Sequence, residues 1–195
     1  ILKQVYPHPK RTILVALWNG EEQGLNGSRA FVADHPDIVA NVQALFNQDN
    51  GTGRVTTISM QGLTGVAGFV GGWMAALPTQ ISREITLQIP GTPGTGGSDY
   101  SSFVCASVPA FSLSSLSWSY RQTYHNPTDT FDKVIIDDVA NNATLTAMLT
   151  YLAAEEPGRL PRDTRVLGLN PRTGQPQAWP QCSQPARDAS RYFNR

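Results

Sequence analysis

Short apolar runs, each closed by turn residues, punctuate this chain. Residues 11–18 (Arg-Thr-Ile-Leu-Val-Ala-Leu-Trp) are almost continuously apolar and stop at Asn19-Gly20. Such a run predicts a central strand buried on both faces. Gly27-Ser28 opens a helical stretch over residues 29–34, stopped by His35-Pro36. Residues 42–46 form a second apolar run, ended by Asn50-Gly51, and residues 55–60 alternate as a strand does. Residues 66–77 are apolar and long enough for a helix, although glycines interrupt them. Residues 85–89 predict a strand, followed by a Gly/Pro/Thr-rich loop over 90–97. Ser98 is placed to cap a short helix over 99–105, and residues 109–113 predict another buried strand. Residues 114–131 lack periodicity and read as a long loop, a class that often carries function. Asp137 or Asp138 would cap a helix with apolar Val139, Leu145, Met148, Leu149 and Leu152, running to about Glu155 and stopped by Pro157.

Strands alternating with helices predict an α/β fold: a three-layer sandwich whose mixed, mostly parallel sheet is flanked by helices. Residues 1–160 form the catalytic-type domain in this reading, and 161–195 an irregular Pro/Arg-rich tail that packs on the surface or is partly disordered. Composition changes the picture little. The 195 residues suit one domain, and a charged fraction of 15% argues against a coiled coil or a long disordered tail. A formal net charge of zero gives no electrostatic reason to expect a nucleic acid, and no apolar run is long enough for a membrane span. The cysteines, Cys105 and Cys182, form no CxxC pair, which argues against a thiolate zinc site and leaves a disulfide or free thiols open. Asn26, Asn50 and Asn142 each head a glycosylation sequon.

Four polar clusters carry the candidate chemistry. Glu21 and Glu22 follow the first apolar run within Asn-Gly-Glu-Glu-Gln-Gly-Leu-Asn-Gly-Ser. Adjacent side chains in a turn diverge, so one carboxylate can hold a metal while the other faces its water. By themselves they read as a solvated acidic turn. Asp49, in Asn47-Gln48-Asp49-Asn50-Gly51, ends the second run and could be a ligand or a simple Asx-turn. Gly97, Ser98 and Asp99 lie in Gly-Gly-Ser-Asp-Tyr, either lining a cleft or merely leading into a helix. Tyr124 and His125 stand in Tyr-His-Asn-Pro-Thr-Asp-Thr-Phe-Asp, where an imidazole beside acidic residues suits metal binding but is also ordinary for a loop.

In this order the four motifs resemble metallopeptidase family 28, the zinc aminopeptidases and their carboxypeptidase relatives, from about residue 11 to about residue 161. The Asn-x-Asp-Asn-Gly-Thr-Gly form is most similar to the carboxypeptidase-Q-like branch. The resemblance implies an exopeptidase acting on a peptide substrate with two zinc ions in the complete enzyme, secreted or periplasmic. It implies Glu21 as general base, and Glu22 with His125 on one zinc and Asp49 on the other. Tyr124 would face the tetrahedral oxyanion, Gly97, Ser98 and Asp99 would line the cleft, and Asp129 would orient the histidine loop.

The family pattern also needs a His-x-Asp motif and a bridging Asp ahead of the Glu pair. The residues before Glu21 hold one histidine, His8, and no aspartate. His8 and His35 read as loop residues. The expectation is therefore that the missing N-terminal segment or a second chain supplies the remaining ligands and part of the sheet, and that this chain does not fold stably as an isolated monomer. The rival readings are a metal-free binding or assembly domain on the same fold and a glutaminyl-cyclase-like acyltransfer enzyme.

Overall fold

Alternation at residues 111–114, and at 58–60 beyond a register shift that follows Val55, gives the sheet an apolar face on one side and a largely polar face on the other. The computed structural model describes residues 2–117 and 120–187. In chain order the elements are α1 (Leu2–Val5), α2 (Asn26–Asp34), α3 (Pro36–Asn41), β1 (Leu45–Gln48), β2 (Val55–Ser59), α4 (Ala67–Ala76) and α5 (Thr79–Ser82). There follow β3 (Thr86–Gln88), α6 (Ser101–Val104), β4 (Ala110–Ser115), α7 (Tyr120–Thr123), a 3-10 turn (Phe131–Lys133) and α8 (Ile136–Glu155). The strands form one mixed sheet in the order β1-β4-β2-β3. β1 runs parallel to β4 and β2 parallel to β3, while β2 and β4 are antiparallel.

Register decides what each face does. Phe46 pairs with Phe111, Ile58 with Leu113 and with Leu87, and these apolar side chains form one face. Helices α4 and α8 cover that face through Val70, Trp73, Leu145, Leu149 and Ala153. Asp138 and Asn142, one turn apart on α8, grip the start of β2. Arg54 N–H and Nε donate to the Asp138 carboxylate at 3.1 and 3.3 Å. Val55 N–H donates to Asn142 Oδ1 at 2.9 Å, and Asn142 Nδ2 donates to Gly53 O at 2.8 Å. Asn142 is buried in this role, so its sequon is not open to a glycan.

The opposite face changes character along β4. Near Ala110 and Leu45 it is apolar and covered by α2, α3 and α6 through Phe31, Val39, Phe103 and Val104. Beyond them it turns polar: Asn47 pairs with Ser112, Ser112 with Ser59, Ser114 with Thr57, and Ser59 with Gln88.

Several sequence expectations give way here. Residues 12–17 are not a strand; Leu14, Val15 and Leu17 are 63%, 86% and 93% exposed. A two-faced strand needs a hydrogen-bonding neighbour on each edge, and among the described residues this run has none. The run is anchored at its ends, where the Arg11 guanidinium donates to Ala154 O and Gly158 O and Trp18 packs on Phe31 and Phe103. His35-Pro36 ends one helix but starts another, α3, with Pro at its first turn, where its missing N–H costs nothing. Ser98 is not a cap: its hydroxyl donates to Asn47 Oδ1 at 3.2 Å, and α6 begins at Ser101. Ile135, not an aspartate, occupies the N-cap of α8, because Asp138 is committed to Arg54. The region read as one long loop holds the end of β4 and α7; Trp118 and Ser119, within it, lie outside the described residues.

The described part of the tail straps across the domain. Thr64 N–H donates to Asp163 O and Arg165 N–H to Gly62 O, around an isolated Leu63–Thr164 bridge. The Arg162 guanidinium reaches the carbonyls of Val39, Ala40 and Val42 at the end of α3. Trp179 Nε1 donates to Val104 O, and Cys182 is disulfide-bonded to Cys105. Residues 188–195 lie outside the described residues.

Candidate functional site

The Glu pair is presented by a closed turn leading into α2. Gly24 N–H and Leu25 N–H both donate to Glu21 O, at 3.0 and 2.8 Å, and Gly27 N–H donates to Asn19 O at 2.8 Å. A Cβ at Gly27 would lie 2.6 Å from Asn19 O, so only glycine lets the turn close. Ser28 Oγ and Ser102 Oγ, 2.8 Å apart, tie this turn to α6 and hence to the Gly97–Ser98–Asp99 loop.

Asp49 follows β1 between two anchored neighbours. Gln48 Nε2 donates to Ser115 Oγ at 2.6 Å, and Ser115 N–H donates to Asn50 Oδ1 at 3.1 Å. Asn47 fixes the third cluster: its Oδ1 accepts Tyr100 N–H at 2.8 Å as well as the Ser98 hydroxyl. Its position in the strand, one residue after core-facing Phe46, was the available sign that Asn47 faces the site side.

The histidine loop leaves α7 through a left-handed residue, His125 itself, at φ 53°. Histidine tolerates that conformation better than most side chains. Its ring stacks on Tyr124 with centroids 3.8 Å apart, and Tyr120 lies 5.0 Å from Tyr124. The Thr128 hydroxyl donates to Gln122 O at 2.8 Å, and Asp129 N–H donates to Asn126 O at 3.1 Å, closing the loop.

These segments meet. His125 Nε2 lies 2.7 Å from Glu22 Oε1, across a separation of 103 residues. Burial pushes the Glu21 carboxyl above its ordinary range, and the negative charges of Asp49, Glu22 and Asp99 push it further, with His125 opposing. Burial also raises Asp99, against a hydrogen bond from Ser28 and with Asp49 adding to the rise. One Asp99 oxygen, Oδ1, is buried with no hydrogen-bond partner. Tyr120 is pushed up by burial and then by Tyr124, Asp49, Glu22 and Glu21, which makes it a member of the site that its motif did not mark.

The donor set is chemically suited to a hard or borderline divalent cation: carboxylates, one imidazole, no thiolate, and an excess of negative charge with one buried oxygen unsatisfied. The number of donors is short. Glu22 and His125 satisfy each other, and among the described residues no three His, Cys, Asp or Glu side chains converge as a metal-binding group.

Known proteins resemble this chain over most of its length. Carboxypeptidase Q of Homo sapiens is 25% identical over 163 residues, covering 83% of this chain and 33% of its own length. Carboxypeptidase Q of Xenopus laevis is 29% identical over 170 residues with the same coverage. The chain thus spans about a third of the length of these curated relatives. The crystal structure of a peptidase M28 precursor from Shewanella amazonensis SB2B superposes with a TM-score of 0.70 at 24% identity, over 80% of this chain and 34% of that one, and so shares the fold. The sequence pattern of peptidase family M28 matches residues 1–152, and the chain belongs to that family.

Proposed function

We propose that this chain is part of a zinc-dependent exopeptidase that removes terminal residues from peptides or splits dipeptides. The observation that carries the reading is the contact between Glu22 and His125, with Glu21, Asp49 and Asp99 in electrostatic range. Glu22 and His125 would hold one zinc and Asp49 the other. Two bound zincs would supply a lowered pKa for the attacking water and polarisation of the scissile carbonyl. Glu21 would serve as the general base that accepts a proton from the attacking water. The Tyr124 hydroxyl donates to the oxygen on which charge develops, which for one good donor is worth about 3 kcal/mol. Gly97, Ser98 and Asp99 line the cleft, held by Asn47.

The donors named are too few for two tight zinc sites, so we propose that the others come from a segment outside these 195 residues or from a second chain. The exposed, unpaired run at residues 12–17 supports this, since it offers backbone and apolar side chains to a neighbouring strand. The Cys105–Cys182 disulfide supports an oxidising location, secreted or periplasmic. The absence of a three-donor cluster among the described residues favours one rival, a catalytically incomplete binding or assembly domain.

The test is Glu21→Gln in the protein at its natural length. Peptide hydrolysis should fall by about 10²–10⁴-fold, the usual contribution of a general base, while zinc remains bound. Normal turnover in the variant would remove Glu21 from the mechanism, and absence of hydrolysis in the unsubstituted protein would favour the rival.

A further inference from the structure

The polar part of the second sheet face is the floor of a cavity of about 550 Å³. Ser59, Ser112 and Ser114 rise from adjacent strands, Gln61 and Tyr100 form walls, and Arg165 of the tail closes the rim. That volume suits a small ligand or one end of a peptide. The cavity adjoins the candidate active site through Asn47. Asn47 pairs with Ser112 on the floor, holds Tyr100 N–H in the wall and precedes Asp49 by two residues.

Arg165 is the one charged residue lining this cavity among the described residues. Its backbone is pinned by the bond to Gly62 O, and Nη1 donates to Gly91 O at 3.0 Å. No carboxylate among the described residues lies within ion-pairing distance of it. Its remaining fork of N–H groups can meet a planar anion, and the hydroxyls of the floor can donate to the same oxygens.

We propose that this cavity is a carboxylate subsite for the peptide substrate, with Arg165 as its countercharge. The proposal rests on the peptidase reading for the identity of the ligand, but not for its test. The carboxylate is either the free C-terminus of the substrate or an acidic side chain. Arg165, on the far side of Asn47 from the catalytic carboxylates, attracts a substrate carboxylate and so orients the peptide across the site.

The test is equilibrium binding to the natural-length protein of three probes: N-acetylalanine, N-acetylalaninamide, and N-acetylglutamyl amide, whose only carboxylate is in the side chain. At least one carboxylate probe should bind about tenfold or more tighter than N-acetylalaninamide, as loss of a charge-assisted pair implies. Preference for N-acetylalanine assigns the C-terminus; preference for N-acetylglutamyl amide assigns the side chain. Arg165→Gln should erase the discrimination and Arg165→Lys should keep part of it, which mere loosening of the Gly91 contact would not do. Equal binding of all three probes, no binding of any, or discrimination unchanged in Arg165→Gln overturns the proposal. Discrimination without hydrolysis of any peptide would leave the subsite standing and remove the peptidase reading.

Discussion

Replacing Asn142 by alanine should cost more stability than any surface change on α8. The side chain sits at 4% exposure and serves two backbone groups at once, accepting from Val55 N–H and donating to Gly53 O. Alanine leaves both unpaired beside Val55, which is 1% exposed. Each buried group deprived of its partner costs about 1–3 kcal/mol, so the pair should cost about 2–6 kcal/mol. That is a large fraction of the roughly 5–15 kcal/mol that holds a typical domain folded. With a urea dependence of about 2 kcal/mol per molar, the midpoint of unfolding should fall by about 1–3 M. Thr144→Ala is the control, because Thr144 is exposed and bonds only within the helix, to Ala140 O. Its effect should stay within about 0.5 kcal/mol. The assay is urea unfolding of the natural-length protein followed by fluorescence and circular dichroism. A midpoint for Asn142→Ala within about 0.3 M of the unsubstituted protein, at unchanged slope, would refute the clamp between α8 and β2.

Removing the disulfide with Cys182→Ser should lower stability by about 4 kcal/mol, from the chain entropy released over a separation of 77 residues, and thiol titration of the unsubstituted denatured protein should find neither cysteine free; a titratable thiol at Cys105 would contradict the pairing. The Glu155 carboxylate is held below its ordinary value of 4.5 by Lys10, whose Nζ lies 2.6 Å away, and by the Tyr6 hydroxyl. A lowered folded pKa means that the stabilisation is present above the unfolded value and is lost as pH falls through the folded one. Unfolding curves between about pH 6 and pH 3 should therefore show a loss that Glu155→Gln flattens; equal pH dependence in the two proteins would count against this clasp.

The elements legible in the sequence were those whose partners are local or whose pattern admits one reading. Strand β2 carries apolar Val55 and Ile58 in a β-branched run, α4 is long and apolar, and α8 shows its buried stripe at Leu145 and Leu149. The run at residues 11–18 misled because apolar continuity reports what a strand would bury, not whether a neighbour is there to pair with it. Ser98 and the aspartates of α8 misled for a different reason. Both residue types cap helices by default, but here Asn47 and Arg54, distant in sequence, offer stronger partners. The site was legible as motifs because each is contiguous. Asn47, Tyr120 and Arg165 were not, since their importance comes from what the sheet and the tail place beside them. The disulfide could not be chosen from two cysteines alone; it follows from the tail crossing the end of α6, where Trp179 also docks.

Glu21, Glu22, Asp49 and His125 are proposed to belong to a two-zinc peptidase centre completed by residues beyond this chain's own donors. The most direct measurement is the metal content of the protein at its natural length and assembly, taken with its intact mass. Near two zincs per molecule are expected, held by a species larger than these 195 residues or by more than one chain. A protein with no bound zinc, at the mass of this chain alone and unable to take zinc up, would contradict it.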